Sequence, residues 1–117
     1  MICRTLIVED DNVTRRAMTR VLQSWGHPTL AAGSLAEALE LIDGDHGCVV
    51  TDLNLPDGSG TEVLRHLKEQ HPSVRVAVAT GSDDAELLAE VGRLQPDALF
   101  FKPVDLGQLA AWIGGDA

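Results

Sequence analysis

Short apolar runs alternate with amphipathic stretches along the whole chain. Leu6-Ile7-Val8, Cys48-Val49-Val50-Thr51, Val74 to Thr80 and Ala98-Leu99-Phe100-Phe101 carry few polar residues. Runs of this length, bounded by turn formers, read as strands covered on both faces. They predict strands over Arg4–Glu9, Cys48–Asp52, Val74–Thr80 and Ala98–Lys102, and Pro28–Ala32 reads as a further short strand, second in the chain.

The stretches between them have helical periodicity. Ala17, Met18, Val21, Leu22 and Trp25 recur at three- and four-residue spacing, and Gly26 supplies a stop. Ser34 with Glu37 forms a capping box for a helix bearing Leu35, Ala38, Leu39 and Ile42, which Gly44 ends. A third helix covers Gly60–Gln70, with Val63, Leu64 and Leu67 inward. Ser82 or Asp83 is the expected cap of a fourth, with Leu87, Leu88 and Val91 inward. Asp105 with Gln108 opens the last, which buries Leu106, Leu109, Ala110 and Ile113. Trp25 and Trp112 fall on apolar helix faces and are expected in the core.

The pattern is (βα)5, an α/β fold with no linker, repeat or low-complexity segment, so residues 1–117 are expected to form a single domain. Strands covered on both faces imply a doubly wound parallel sheet between helical layers. Right-handed crossovers and five strands favour the order 2-1-3-4-5, with the ligand crevice at the carboxyl ends of strands 1 and 3.

Composition narrows the function. With 44% apolar residues in 117, the chain can build a real core. A formal charge of −9 argues against direct binding to nucleic acid or an anionic membrane, since both call for a basic face. Nothing resembles a signal peptide after Met1, and no apolar stretch approaches the roughly 20 residues that span a bilayer. A cytoplasmic protein is the expectation. Cys3 and Cys48, near strand starts, read as small buried hydrophobes and not as a disulfide or metal pair. His27, His46, His66 and His71 lack metal-ligand spacing and are expected at the surface. Arg15, Arg16 and Arg20 read as a solvated helix face, with kinase docking as the alternative.

The chemistry gathers at strand ends. Glu9 and Asp10 follow the first strand, Asp52 closes the third, Thr80 the fourth and Lys102 the fifth. Three carboxylates in one crevice repel, and a divalent cation removes that repulsion. Few hard oxygen ligands suit Mg²⁺, so the expected metal set is Glu9, Asp10 and Asp52 with a backbone carbonyl from Asn54. Asp52 is the candidate nucleophile, because a carboxylate can attack phosphorus to form an acyl phosphate. Lys102, one of only two lysines, would neutralise charge on the transferring group. The Thr80 hydroxyl would donate to a phosphoryl oxygen, and Gly81 would keep the approach open.

Together these residues resemble the receiver domain of bacterial two-component response regulators over essentially the whole chain. Ile7-Val8-Glu9-Asp10-Asp11 is similar to the acidic pair of that family, and Thr51 to Gly60 to its phosphoacceptor segment. Ala79-Thr80-Gly81 matches its hydroxyl position and Phe101-Lys102-Pro103 its lysine–proline pair. The resemblance implies a flavodoxin-like receiver fold and a signalling module, not an enzyme acting on an outside substrate. It implies that Asp52 takes a phosphoryl group from the phosphohistidine of a sensor histidine kinase or phosphotransferase protein, with Mg²⁺. It further implies a cis Lys102–Pro103 bond. The switched face would lie around helix 4, strand 5 and helix 5 and act on a downstream protein target, with a homodimer on phosphorylation as one outcome. Asn54 and Ser82 stand where the family tunes acyl-phosphate lifetime, and two small polar residues imply hydrolysis that is not strongly suppressed.

One position departs from the family pattern. An aromatic residue usually stands three before the lysine, and here it is Leu99. Helix 4 and its entry loop are then expected to carry the signal. Three other classes compete. A haloacid-dehalogenase-like phosphatase would have an acid two residues after its nucleophile, where this chain has Asn54. A flavodoxin-like cofactor binder would have a glycine-rich loop where this chain has Glu9-Asp10-Asp11. An unphosphorylated pseudo-receiver scaffold would lack some of the chemical residues, and all are present.

Overall fold

The structure, a computed structural model, describes residues 2–115. Met1, Asp116 and Ala117 lie outside the described residues. The elements run β1 (Thr5–Val8), α1 (Asn12–Ser24), β2 (Thr29–Ala32), α2 (Leu35–Leu41) and β3 (Cys48–Asp52), then α3 (Gly60–Gln70), β4 (Arg75–Thr80), α4 (Ala85–Leu94), β5 (Ala98–Phe101) and α5 (Leu106–Ile113). A two-residue antiparallel ladder, Asn54–Leu55 against Gly58–Ser59, closes the turn after β3.

All five strands pair in parallel in the expected order, β2-β1-β3-β4-β5. Side chains alternate across this sheet and build two separate cores. Leu6, Val8, Val49, Val76 and Val78 pack under α2, α3 and α4. Ile7, Cys48, Val50, Ala77 and Ala79 pack under Met18 and Leu22 of α1 and Leu109, Ala110 and Ile113 of α5. Every residue of β1 and β3 is buried, as the near-continuous apolar runs require. Among the described residues, no helix is long and apolar enough to cross a membrane.

Most caps match the sequence signals. Ser34 accepts from the Glu37 amide, while the Glu37 carboxylate reaches back to the Gly33 amide. Asp105 accepts from Gln108, and Gly26 takes a left-handed φ of 88° just beyond α1. The α4 cap is different. Asp84, not Ser82 or Asp83, receives the amides of Glu86 and Leu87. Ser82 stays in the loop because Thr80 Oγ1 holds its amide and its own hydroxyl takes the Asp84 amide.

Other expectations need correction. Trp25 ends α1 as its cap and stands 48% exposed, so it is not a core residue. Leu39 is also exposed. His27 and His46 are buried, not surface residues. Each is drawn in by backbone: His27 Nδ1 accepts from the Cys3 amide, and His46 Nε2 bonds the Leu41 carbonyl. Cys48 is buried and Cys3 half-buried, and both are free thiols.

Candidate functional site

The site forms where β1, β3, β4 and β5 end on the same side of the sheet. Glu9 follows β1 directly, and its amide bonds the Ala32 carbonyl of β2 at 2.9 Å. Its side chain lies in the crevice, where it is 2% exposed. Asp52 is the last residue of β3 and is also buried. Asp10 is exposed at the rim. Carboxylate oxygens of Glu9, Asp10 and Asp52 all lie within 4.8 Å of one another.

Lys102 follows β5, and its amide bonds the Thr80 carbonyl at 2.8 Å. The ammonium stands 2.6 Å from Glu9 Oε1 and 2.8 Å from Asp52 Oδ2. The other Asp52 oxygen accepts from the Asn54 amide at 3.2 Å. The Lys102–Pro103 peptide is cis, as the resemblance implies. Thr80 is fully buried and lies one residue beyond Ala79, the register partner of Asp52. A Cβ at Gly81 would touch the Lys102 stem only at ordinary contact distance, 3.8 Å.

Electrostatics follow from this crowding. Burial, then the neighbouring Asp52 carboxylate, push the Glu9 carboxyl up to about 7, against the pull of Lys102. Burial works against the Lys102 charge, but its hydrogen bonds to Asp52 and Glu9 outweigh it and raise its pKa. Glu9 Oε2 is buried without a hydrogen-bond partner. An unpartnered carboxylate oxygen facing two further carboxylates is a donor set that a small hard cation would complete.

Two residues of the Thr51 to Gly60 segment support the site by contacts that spacing does not reveal. A Cβ on Gly60 would fall 1.9 Å from the Asp52 carbonyl oxygen, so only glycine lets α3 start against the back of β3. Asp57 accepts the Leu35 and Ala36 amides at 2.7 and 3.0 Å, fastening the loop after β3 to the start of α2. Those bonds, Ala36 first, hold its carboxyl below the usual range. Of the β5 residues, Phe100 packs into the core beneath α1 and α5, whereas Leu99 and Phe101 are exposed. Leu99 is paired with Val78 and so lies on the α4 face, which α4 covers incompletely.

Known proteins resemble this chain in sequence and in fold. The family model of the response regulator receiver domain matches residues 5–113. The chain belongs to the response regulator receiver domain family. A cyclic di-GMP phosphodiesterase of Thermotoga maritima is 38% identical over 101 residues, covering 86% of this chain and 27% of that protein. The transcriptional regulatory protein FixJ of Azorhizobium caulinodans is 32% identical, covering 85% of this chain and 47% of that one. The receiver chain thus spans less than half the length of either curated relative. A CheY-like receiver domain protein from Methanospirillum hungatei superposes with a TM-score of 0.90 at 27% identity, covering 98% of this chain and 93% of that one. The fold is therefore the flavodoxin-like receiver fold, and the domain is a signalling module of the two-component type, whose family role is to accept a phosphoryl group.

Proposed function

We propose that residues 1–117 form one receiver unit in which Asp52 accepts a phosphoryl group from a phosphohistidine. The observation that carries this is the Lys102 ammonium held between Asp52 and Glu9, with Asp10 alongside. In the transfer, an Asp52 carboxylate oxygen bonds to phosphorus as the phosphorus–nitrogen bond breaks. The imidazole nitrogen of the donor leaves with the electron pair and is protonated. Hydrolysis later returns the carboxylate and inorganic phosphate.

Glu9, Asp10 and Asp52, with the Asn54 carbonyl, would hold Mg²⁺, which neutralises charge on the transferring group. Lys102 follows the phosphoryl oxygens as charge moves onto them, and the Thr80 hydroxyl donates to one of them. When Thr80 Oγ1 turns to that oxygen it releases the Ser82 amide it now holds, which loosens the entry to α4. The signal then passes through α4 and the β5–α5 face to a downstream protein. The donor is a sensor histidine kinase or a phosphotransferase protein.

Intact mass after incubation with a small phosphodonor tests the assignment. Wild type should gain one phosphoryl group only with Mg²⁺, and Asp52→Ala none. Uptake that survives Asp52→Ala would move the acceptor elsewhere.

A further inference from the structure

Arg15 lies in the first half of α1, where its spacing to Arg16 and Arg20 reads as a solvated face. Its side chain instead folds back toward the start of the helix and is half-buried. Nη1 donates to the Glu9 carbonyl at 2.9 Å and the Asp10 carbonyl at 3.3 Å, and Nη2 donates to the Asn12 side-chain oxygen. Gly33, just past β2, makes room: a Cβ there would stand 3.0 Å from Nη1. The guanidinium is therefore lodged between the loops that follow β1 and β2.

All three of its acceptors are amide oxygens, and none is a carboxylate. The planar fork reaches them from two separate nitrogens, whereas a lysine has all its donors on one nitrogen. Pinning the Glu9 and Asp10 carbonyls fixes their peptide planes, and so the directions in which the two carboxylates leave the chain. Outer groups that orient metal ligands change affinity without touching the metal. Against this stands the positive charge itself, which repels a cation nearby. The two effects have opposite signs, so variants can separate them.

We propose that Arg15 is a positioning residue for the acidic pocket. It holds the Glu9–Asp10 backbone in the geometry that takes a divalent cation, and thereby sets cation affinity while remaining apart from the phosphoryl group. This rests on the pocket binding Mg²⁺.

The test is calorimetric titration with Mg²⁺ of wild type, Arg15→Lys and Arg15→Gln, with amide hydrogen exchange of residues 10–12 in metal-free protein. Arg15→Lys keeps the charge but loses the fork. It should bind Mg²⁺ roughly tenfold more weakly and exchange faster at the loop. Its phosphorylation at saturating Mg²⁺ should return to the wild-type rate. Equal Mg²⁺ affinity in Arg15→Lys and wild type would overturn the inference. So would tighter binding by Arg15→Gln with unchanged exchange, which would leave charge as the only effect. Wild type that takes no Mg²⁺ would overturn the cation reading instead, while loop exchange would still decide whether Arg15 pins the backbone.

Discussion

Lys102 and Glu9 are 93 residues apart in the chain and 2.6 Å apart in the fold. Their contact joins the first strand end to the last, and the same ammonium reaches Asp52. One cation thus lies against two buried carboxyl groups that would otherwise repel as anions. Replacing it by Met removes the charge that would meet the phosphoryl oxygens. Lys102→Met should slow Mg²⁺-dependent uptake of phosphoryl groups by roughly 10²-fold, from the loss of one preorganised donor. The time course of intact mass measures this, and an unchanged rate would remove Lys102 from the chemistry.

Glu9 makes metal-free stability depend on pH. Its carboxyl titrates near 7 in the fold against 4.5 ordinarily, so between those values the folded state holds a proton that the unfolded chain has lost. The stabilising effect is complete below about 4.5 and disappears as pH rises through about 7. Gln at this position cannot titrate. The stability of Glu9→Gln relative to wild type should therefore increase from about pH 5 to about pH 8, by on the order of 1 kcal/mol. Urea unfolding in the presence of a chelator reads the difference, and parallel profiles would contradict it.

Gly60→Ala should be among the most damaging small substitutions in the chain. The added methyl would enter the Asp52 carbonyl, so either α3 or the acceptor strand end must move. A cost of roughly 3 kcal/mol or more is expected, together with slower phosphorylation. Gly92→Ala in α4 is the matched control, since nothing lies within 4 Å of its Cβ. It should be neutral or stabilise by about 0.5–1 kcal/mol.

Arg75 fastens the far end of α5. It donates to the Trp112 carbonyl at 2.9 Å and to the Ile113 carbonyl, and its guanidinium lies 4.9 Å from the centre of the Trp112 ring. Arg75→Met should lower stability by about 2 kcal/mol through lost helix-end bonds and ring contact. Trp112 emission should shift red as the ring gains water. An unshifted spectrum would mean that Phe100, packed edge-on to the ring, holds it unaided.

Strands, sheet order and the residues gathered at the strand ends were legible because buried parallel strands leave long apolar runs, and topology then dictates which ends meet. Glu9, Asp10, Asp52 and Lys102 followed from that. What was hidden depends on contacts that leave no periodic trace. Trp25 continues an apolar helical stripe, yet the helix ends beneath it and leaves it in solvent. His27 and His46 look polar, but single backbone partners draw them inward. Arg15 shares its spacing with two other arginines, but its bonds to the Glu9 and Asp10 carbonyls beside Gly33 leave no periodic trace. Ser82 has the right chemistry for a cap, but Thr80 already holds its amide.

The two outer strands, β2 and β5, are four residues each. A parallel ladder uses alternate residues, so each rim exposes only about two amides and two carbonyls to an incoming strand. Such a short template is a poor seed for fibril-like stacking. Association of this domain with itself would have to be decided by side chains, among them the uncovered Leu99 and Phe101.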